Sequence, residues 1–342
     1  MHEKWMQRAI DNALKAWGHT SPNPHVGAVI VKDGEVIADG WHKKAGTHHA
    51  EKDAITNAKE AGREDDLYGS TIYVTLEPCC TYGRTEPCTE WIMDAGIAKV
   101  VYGCTDSNPE HAGRGFNYLL QAGVEIEGPI LEEECLAINR FFFKWIDEQK
   151  PYVILKMAQT LDGKIATESG QSQWITGAEA RHEVQKLRQG CDAIMVGSET
   201  LRQDNPSLNV REIENPRHPK RYIWSRSDLD QNFKAFTQEG GATYCRAQSK
   251  NEWQYFLSQL GGEEITSLLL EGGGFLASAA LKAQIVDEIQ FFIAPKILGG
   301  EDSRSSVSGL NPLGLDEAIE LENMQITPCG KDFLVTAKPV YK

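Results

Sequence analysis

The tightest constraint on this chain comes from two short stretches that lie thirty residues apart. GTHHAEKDA (46–54) puts His49, Ala50 and Glu51 at the start of a helical pattern. LEPCCTYGRTEPC (76–88) contains Pro-Cys twice, at Cys79 and Cys88, with eight residues between those two cysteines and Cys80 next to the first. Any fold for this chain must either close a pair of these thiols into a disulfide or bring them as thiolates onto a metal, and the compartment decides which. The opening MHEKWMQRAI has no continuous apolar stretch of the signal-peptide kind, and no segment approaches the roughly 18 uninterrupted apolar residues of a membrane span. The chain therefore reads as cytoplasmic, where thiols stay reduced. Eight irregularly spaced cysteines then indicate a metal site plus buried residues, with Cys104, Cys191 and Cys245 filling apolar cores.

The 342 residues, 41% of them apolar, suggest about two domains at roughly 150 residues each. In the first half, VGAVIVKDGEVIADGW (26–41) is a hairpin turning at Asp33-Gly34, 50–62 a helix closed by Gly62, 70–78 a strand, 88–96 a helix and 99–103 a strand. This is a three-layer α/β pattern. LEEECLAINRFFFKWI (131–146) reads as one amphipathic helix, and the polar DEQKP after it marks a boundary between domains 1–147 and 148–342. A second α/β series follows, with strands at 151–159, 192–197, 221–225, 267–271 and 287–298 and helices at 178–190 and 275–283. The proline-punctuated segment 203–220 is too long for a routine connection and is expected to be functional or mobile.

One histidine and two cysteines make a three-ligand tetrahedral zinc site whose fourth position stays open, the mark of a catalytic zinc. Glu51 suits a proton shuttle between the attacking water and a leaving amine. Because residues two apart on a helix point about 200° apart, His49 has to sit at the helix mouth. Cys88 begins a helix, where the macrodipole is expected to lower a thiol pKa. In the second half, LLLEGGGFLASAALKA (268–283) is a strand, a loop without side chains and a helix N-terminus, an arrangement that cradles phosphate oxygens. It is not G-x-G-x-x-G, so no Rossmann domain is inferred.

Zinc deaminases commonly carry H-x-E followed by two cysteines two residues apart. The eight-residue spacing here, together with PNPHVGAVIVKDGEVIADGWHKKAGTHHAE (22–51), resembles the bifunctional riboflavin-biosynthesis deaminase-reductase family. LKMAQTLDGKIATESGQSQWITG (155–177) and 186–211 resemble its reductase half, which is similar in fold to dihydrofolate reductase, while the first half is cytidine-deaminase-like. The resemblance implies one zinc per chain on His49, Cys79 and Cys88, with Glu51 as proton shuttle and Cys80 a small residue outside the site. Asn23 and His42 would contact the pyrimidine or ribose, and Arg84 the substrate 5′-phosphate. Where the family usually has Ser-His after the first cysteine, Cys80 and Thr81 stand here, so a contact made by that histidine is absent or supplied otherwise. NADPH would lie against Ala158, Trp174, Thr200, Asp204, Gly273 and Gly274, with Ser225 on its adenosine side. Substrate would lie against Ser172, Arg188, Leu208, Arg211 and Glu271, the two arginines sharing its phosphate and Glu271 orienting sugar hydroxyls. Lys156 is the candidate to organise protonation after hydride transfer.

The implied activity is deamination of 2,5-diamino-6-ribosylamino-4(3H)-pyrimidinone 5′-phosphate, then reduction of its ribosyl chain to ribityl. Two rivals are a nucleic-acid deaminase, such as one acting on tRNA, and a structural zinc module. The first meets a formal charge of −14, unsuited to neutralising many phosphates, and the second has no use for Glu51. The expected partner is a small phosphorylated pyrimidine, with neither membrane nor nucleic acid engaged, and the sequence leaves open whether the chain forms a homo-oligomer.

Overall fold

The structure, a computed structural model, describes residues 2–82, 86–108 and 112–342. The chain forms two compact units, Met1–Gln149 and Lys150–Lys342. Among the described residues no helix is long and apolar enough to cross a membrane.

The first unit runs α1 (His2–Leu14), β1 (Gly27–Lys32), β2 (Glu35–Trp41), α2 (Ala50–Glu60), β3 (Thr71–Leu76), α3 (Cys88–Asp94), β4 (Lys99–Cys104), α4 (Arg114–Gln121), β5 (Glu125–Glu127), α5 (Glu132–Ile138) and α6 (Arg140–Glu148). The sheet order is β2-β1-β3-β4-β5. β1 is antiparallel to both neighbours, while β3, β4 and β5 run parallel. β1 and β3 are apolar and buried nearly throughout, as strands covered on both faces must be. Two glycines set how closely the covering helices approach. A Cβ at Gly27 would sit 1.9 Å from the Ala9 carbonyl oxygen of α1, and one at Gly40 would sit 2.4 Å from that of Ala50 on α2. This close seating of α2 on β2 holds the His49–Glu51 segment at the sheet.

The single helix expected over 131–146 is broken in two at Asn139. That side chain is buried, accepts from the His25 N–H at 2.7 Å and donates to the His25 carbonyl at 2.9 Å. An asparagine clamped to a distant backbone in this way takes the turn between α5 and α6 rather than continuing a helix.

The second unit comprises β6 (Tyr152–Thr160), β7 (Lys164–Ala166), α7 (Ala178–Gly190), β8 (Ala193–Gly197), α8 (Ser198–Asp204), β9 (Lys220–Trp224), α9 (Lys234–Thr237), β10 (Ala242–Cys245), α10 (Lys250–Gly262), β11 (Ser267–Glu271), α11 (Gly274–Lys282), β12 (Glu288–Ala294), β13 (Arg304–Ser305), β14 (Glu320–Cys329) and β15 (Asp332–Val340). Its main sheet has the order β10-β9-β8-β11-β6-β12-β15-β14. The first six strands are parallel, and β15 and β14 close the edge antiparallel. β12 ends at Ala294 rather than at 298 because Pro295 has no N–H to continue the ladder. Because these strands run parallel, the carboxyl ends of β6, β8, β9 and β11 lie on one edge of the sheet, where parallel α/β folds gather their ligand-binding residues.

Candidate active sites of the two units

In the first unit, His49 is the N-cap of α2 with extended backbone (φ −70°, ψ 165°), the helix mouth its spacing demands. Cys79 follows β3, and Cys88 is the first residue of α3 after Pro87. His49 Nδ1 lies 3.5 Å from Cys79 Sγ and 3.4 Å from Cys88 Sγ, and the three donor atoms lie within 4.8 Å of one another. Tetrahedral zinc, with bonds of about 2.3 Å to sulfur and about 2.0 Å to nitrogen, would hold such donors roughly 3.5 Å apart. The set therefore fits zinc in both chemistry and spacing, and Cys80 lies outside it.

The two thiols divide their acidity unequally. A hydrogen bond from Cys88, reinforced by His49 against the cost of burial, holds Cys79 well below the usual thiol range. Cys88, which donates that hydrogen bond from a buried position, is pushed up. The lowering expected at Cys88 from its helix start thus falls on Cys79. Two thiols in contact share one proton, and burial outweighs the dipole of a seven-residue helix. Glu51 is buried on α2, and burial, aided by the Cys79 charge, pushes its carboxyl up to about 7.

Asn23 and His42 come together beside this cluster, with Asn23 Nδ2 3.1 Å from His42 Nε2. His42 Nδ1 is 3.0 Å from the His48 carbonyl oxygen, so Nδ1 carries the proton and Nε2 accepts from the amide. Burial lowers the His42 pKa, which keeps this neutral form. Its ring meets His49 edge-on, centroids 5.4 Å apart. Arg84 lies outside the described residues.

The sequence reading missed Glu77. Its buried carboxylate accepts from the N–H groups of Gly113 at 3.0 Å, Gly115 at 3.2 Å and Asp106 at 3.4 Å. It thereby ties that backbone to the end of β3, immediately before Pro78-Cys79. A glutamate directly after the apolar run TIYVTL was the available signal, since a buried charge demands partners.

In the second unit a cavity of about 1330 Å³ follows the carboxyl ends of β9, β8, β11 and β6. Its lining includes Lys156 and Ala158 on β6, Ser172 and Trp174 in the loop after β7, and Arg188 on α7. Thr200 and Asp204 on α8, Leu208 and Arg211 beyond it, Ser225 after β9, and Glu271, Gly273 and Gly274 at the end of β11 complete the set of residues singled out from sequence. Gly272 and Gly273 have φ of 73° and 86°, backbone that side chains resist, and a Cβ at Gly274 would lie 2.4 Å from the Ser305 carbonyl oxygen. Ser172 Oγ donates to Asp204 at 3.1 Å, and the Arg181 guanidinium lies 4.6 Å from the Trp174 ring centre.

At the β6 end, register makes Lys156 and Glu271 direct neighbours on adjacent parallel strands, with Lys156 Nζ 3.8 Å from Glu271 Oε2. Arg188 grips the same carboxylate with two hydrogen bonds of 2.7 and 2.8 Å and donates to the Asn209 carbonyl at 3.2 Å. Although burial opposes its charge, Arg188 and Lys156 hold Glu271 down to about 2. Burial outweighs the pull of Glu271 on Lys156 and lowers that ammonium's pKa. Arg188 thus reaches the cavity already engaged by Glu271, and no carboxylate pairs with Arg211 among the described residues.

A family model described as "RibD C-terminal domain" matches residues 151–335, and one described as "Cytidine and deoxycytidylate deaminase zinc-binding region" matches residues 1–104. The chain is 43% identical to the riboflavin biosynthesis protein RibD of Actinobacillus pleuropneumoniae, over 97% of this chain and 93% of that one. A solved structure of Acinetobacter baumannii RibD is 34% identical and superposes with a TM-score of 0.89, covering 99% of each chain. So does that of a diaminohydroxyphosphoribosylaminopyrimidine deaminase/5-amino-6-(5-phosphoribosylamino)uracil reductase from Thermotoga maritima, at 35% identity and a TM-score of 0.88. With a deaminase-like first half, a reductase-like second half and relatives matched end to end, the chain belongs to the RibD family of riboflavin biosynthesis proteins.

Proposed function

We propose that this chain deaminates 2,5-diamino-6-ribosylamino-4(3H)-pyrimidinone 5′-phosphate in its first unit and reduces the ribosyl chain of the product to ribityl with NADPH in its second. The observation that carries the reading is the convergence of His49, Cys79 and Cys88 beside a buried Glu51, within a chain whose Thermotoga maritima relative carries both activities in its name.

In the first unit His49, Cys79 and Cys88 would hold one zinc ion, which supplies the electrophilic centre that makes water a competent nucleophile near neutral pH. Hydrolytic deamination replaces an amino group by oxygen, so a proton must leave water and reach the departing ammonia. Glu51 performs that transfer. A carboxyl near 7 accepts and returns a proton at physiological pH with little driving force wasted in either direction. His42 and Asn23, locked to each other, present a rigid polar edge for the pyrimidine or ribose. Arg84 remains the candidate for the 5′-phosphate.

In the second unit the Gly272–Gly274 loop and the start of α11 suit the pyrophosphate of a nicotinamide dinucleotide, which supplies the hydride. Lys156 stabilises and protonates the atom that gains charge, a step eased by its lowered pKa. Glu271 keeps Lys156 in place and is itself fixed by Arg188. Arg211, rather than the engaged Arg188, is the cation left to meet the substrate phosphate, while Ser172 and Leu208 shape the same end. The test is to mix the protein with zinc, the diamino substrate and NADPH, and to follow ammonia release and nicotinamide absorbance separately. Ammonia release followed by NADPH loss supports the proposal; the absence of either signal with folded, zinc-loaded protein rejects the corresponding half.

A further inference from the structure

We propose that Lys296 is a positioning residue for hydride transfer, fixing the Trp174 wall of the cavity to the strand that carries Lys156. This rests on the reading of the second unit as an NADPH reductase with Trp174 against the cofactor. Trp174 stands in an irregular loop between β7 and α7, and its side chain is exposed. Such a loop has no ladder of its own to satisfy its backbone, and backbone bonded only to water is the part of a fold that opens most easily. Here every residue from 174 to 177 is held from outside the loop. Lys296 Nζ donates to the carbonyls of Trp174 at 2.9 Å and Ile175 at 2.6 Å. Arg181 on α7 donates to the Thr176 carbonyl at 2.8 Å, and the Gly177 N–H donates to Asp332, at the start of β15, at 2.6 Å.

Two of these four bonds come from one side chain. An ammonium aims separate donors at two neighbouring carbonyls, and its charge makes each bond stronger than a neutral one. Lys296 is itself exposed and does not line the cavity, so it acts through the loop it holds. Its own backbone is fixed to the end of β6. Register sets Ala294 of β12 opposite Thr160 of β6, two residues before the lysine. The Leu161 N–H then donates to the Lys296 carbonyl at 2.9 Å. Asp162, held by the Thr160 hydroxyl at 2.6 Å, accepts from the N–H groups of Leu298 at 3.1 Å and Gly299 at 2.7 Å. A continuous path therefore runs from Lys156 along β6, through the turn at 160–162, to Lys296 and on to Trp174. Arg181 and Asp332 tie the same loop to α7 and β15; of the three, Lys296 is the tie to the strand bearing Lys156. Hydride transfer depends steeply on how the reacting groups are placed, and a displacement of about 1 Å can cost about 10²-fold in rate.

The test is a double-mutant cycle on the full-length chain, comparing the wild type, Lys296→Met, Trp174→Ala and the two substitutions together, with Lys296→Arg as the variant that keeps the donors. Each protein receives NADPH and the already deaminated substrate. Single-turnover hydride transfer is followed by nicotinamide absorbance, NADPH binding by calorimetry and stability by urea unfolding. Lys296→Met is expected to slow hydride transfer about tenfold while NADPH affinity changes less than about threefold and the urea midpoint stays close to wild type, as for an exposed side chain. Lys296→Arg should recover most of the rate. In the Trp174→Ala background, Lys296→Met should slow transfer by less than about twofold, because nothing is left to position. An unchanged rate in Lys296→Met, the same slowing with and without Trp174, no recovery in Lys296→Arg, or a slowing matched by an equal loss of stability or NADPH affinity overturns the assignment. A wild type that binds no NADPH overturns the reductase reading itself; a wild type that transfers hydride at a rate indifferent to Lys296 overturns only this inference.

Discussion

The two units solve the same electrostatic problem, holding reactive charge away from water, by opposite means. In the first, the donors to a metal sit within 4.8 Å of one another and come from two helix starts and the loop after β3. In the second, a buried carboxylate is compensated by two cations on separate elements, β6 and α7, and the cavity around it draws on residues from 156 to 308. A metal concentrates chemistry into a short motif because its ligands must nearly touch. A long organic cofactor spreads chemistry along a sheet edge, and the protein's own side chains must balance the charges.

The contrast can be broken most severely at the metal. Cys88→Ser is expected to lower zinc content from one per chain to near zero and to abolish ammonia release, because one of three donors is lost from a buried site. Metal analysis with an ammonia assay checks this. Full zinc occupancy in the variant would show that the cluster is not the site.

Glu51→Gln should keep the zinc and slow deamination about 10³-fold, since the amide preserves shape and removes only the proton carrier. Loss of zinc with this substitution would instead make Glu51 a ligand or the residue that orients one.

In the second unit, Glu271→Gln removes the carboxylate that pairs with both Arg188 and Lys156 and strands two buried cations. A cost of about 3–5 kcal/mol is expected in urea unfolding of that unit at pH 7. Linkage supplies a second readout. Glu271 is depressed to about 2 from an ordinary value near 4.5, so the stability it contributes is fully present above about pH 4.5 and lost as pH falls toward 2. The variant should lack that acid-dependent component, and an unchanged pH–stability curve would sink this account of the triad.

The smallest effect is sought at Lys156. Lys156→Ala should slow single-turnover hydride transfer at least about tenfold, roughly 1.4 kcal/mol of transition-state stabilisation, with NADPH affinity little changed. A near-normal rate would leave the proton donor unassigned.

The same contrast explains what was legible in the sequence. HAE and the paired Pro-Cys announce the metal cluster because those residues must occupy helix mouths and strand ends at fixed spacing, and the structure puts them there. The Glu271–Arg188 pairing was not legible, since 83 positions separate the partners, one at the end of β11 and the other on helix α7, and only the tertiary fold brings them together. Glu77 was hidden inside a motif read only for its cysteines. The break at Asn139 was masked by a continuous amphipathic pattern that gives no sign of a distant backbone claiming one side chain. The β14–β15 hairpin left little signal because β14 is an edge strand exposed over nearly its whole length, so no buried face imposes an alternation.

The central claim is that two chemistries run in two separately equipped units. Its most direct test is NADPH oxidation by the Cys88→Ser protein, offered first the diamino substrate and then the already deaminated one. The account predicts no oxidation with the first and a rate within about twofold of wild type with the second, as expected for compact units with their own cores. Oxidation with the diamino substrate and no ammonia release, or no oxidation with either substrate in a folded protein, would contradict it.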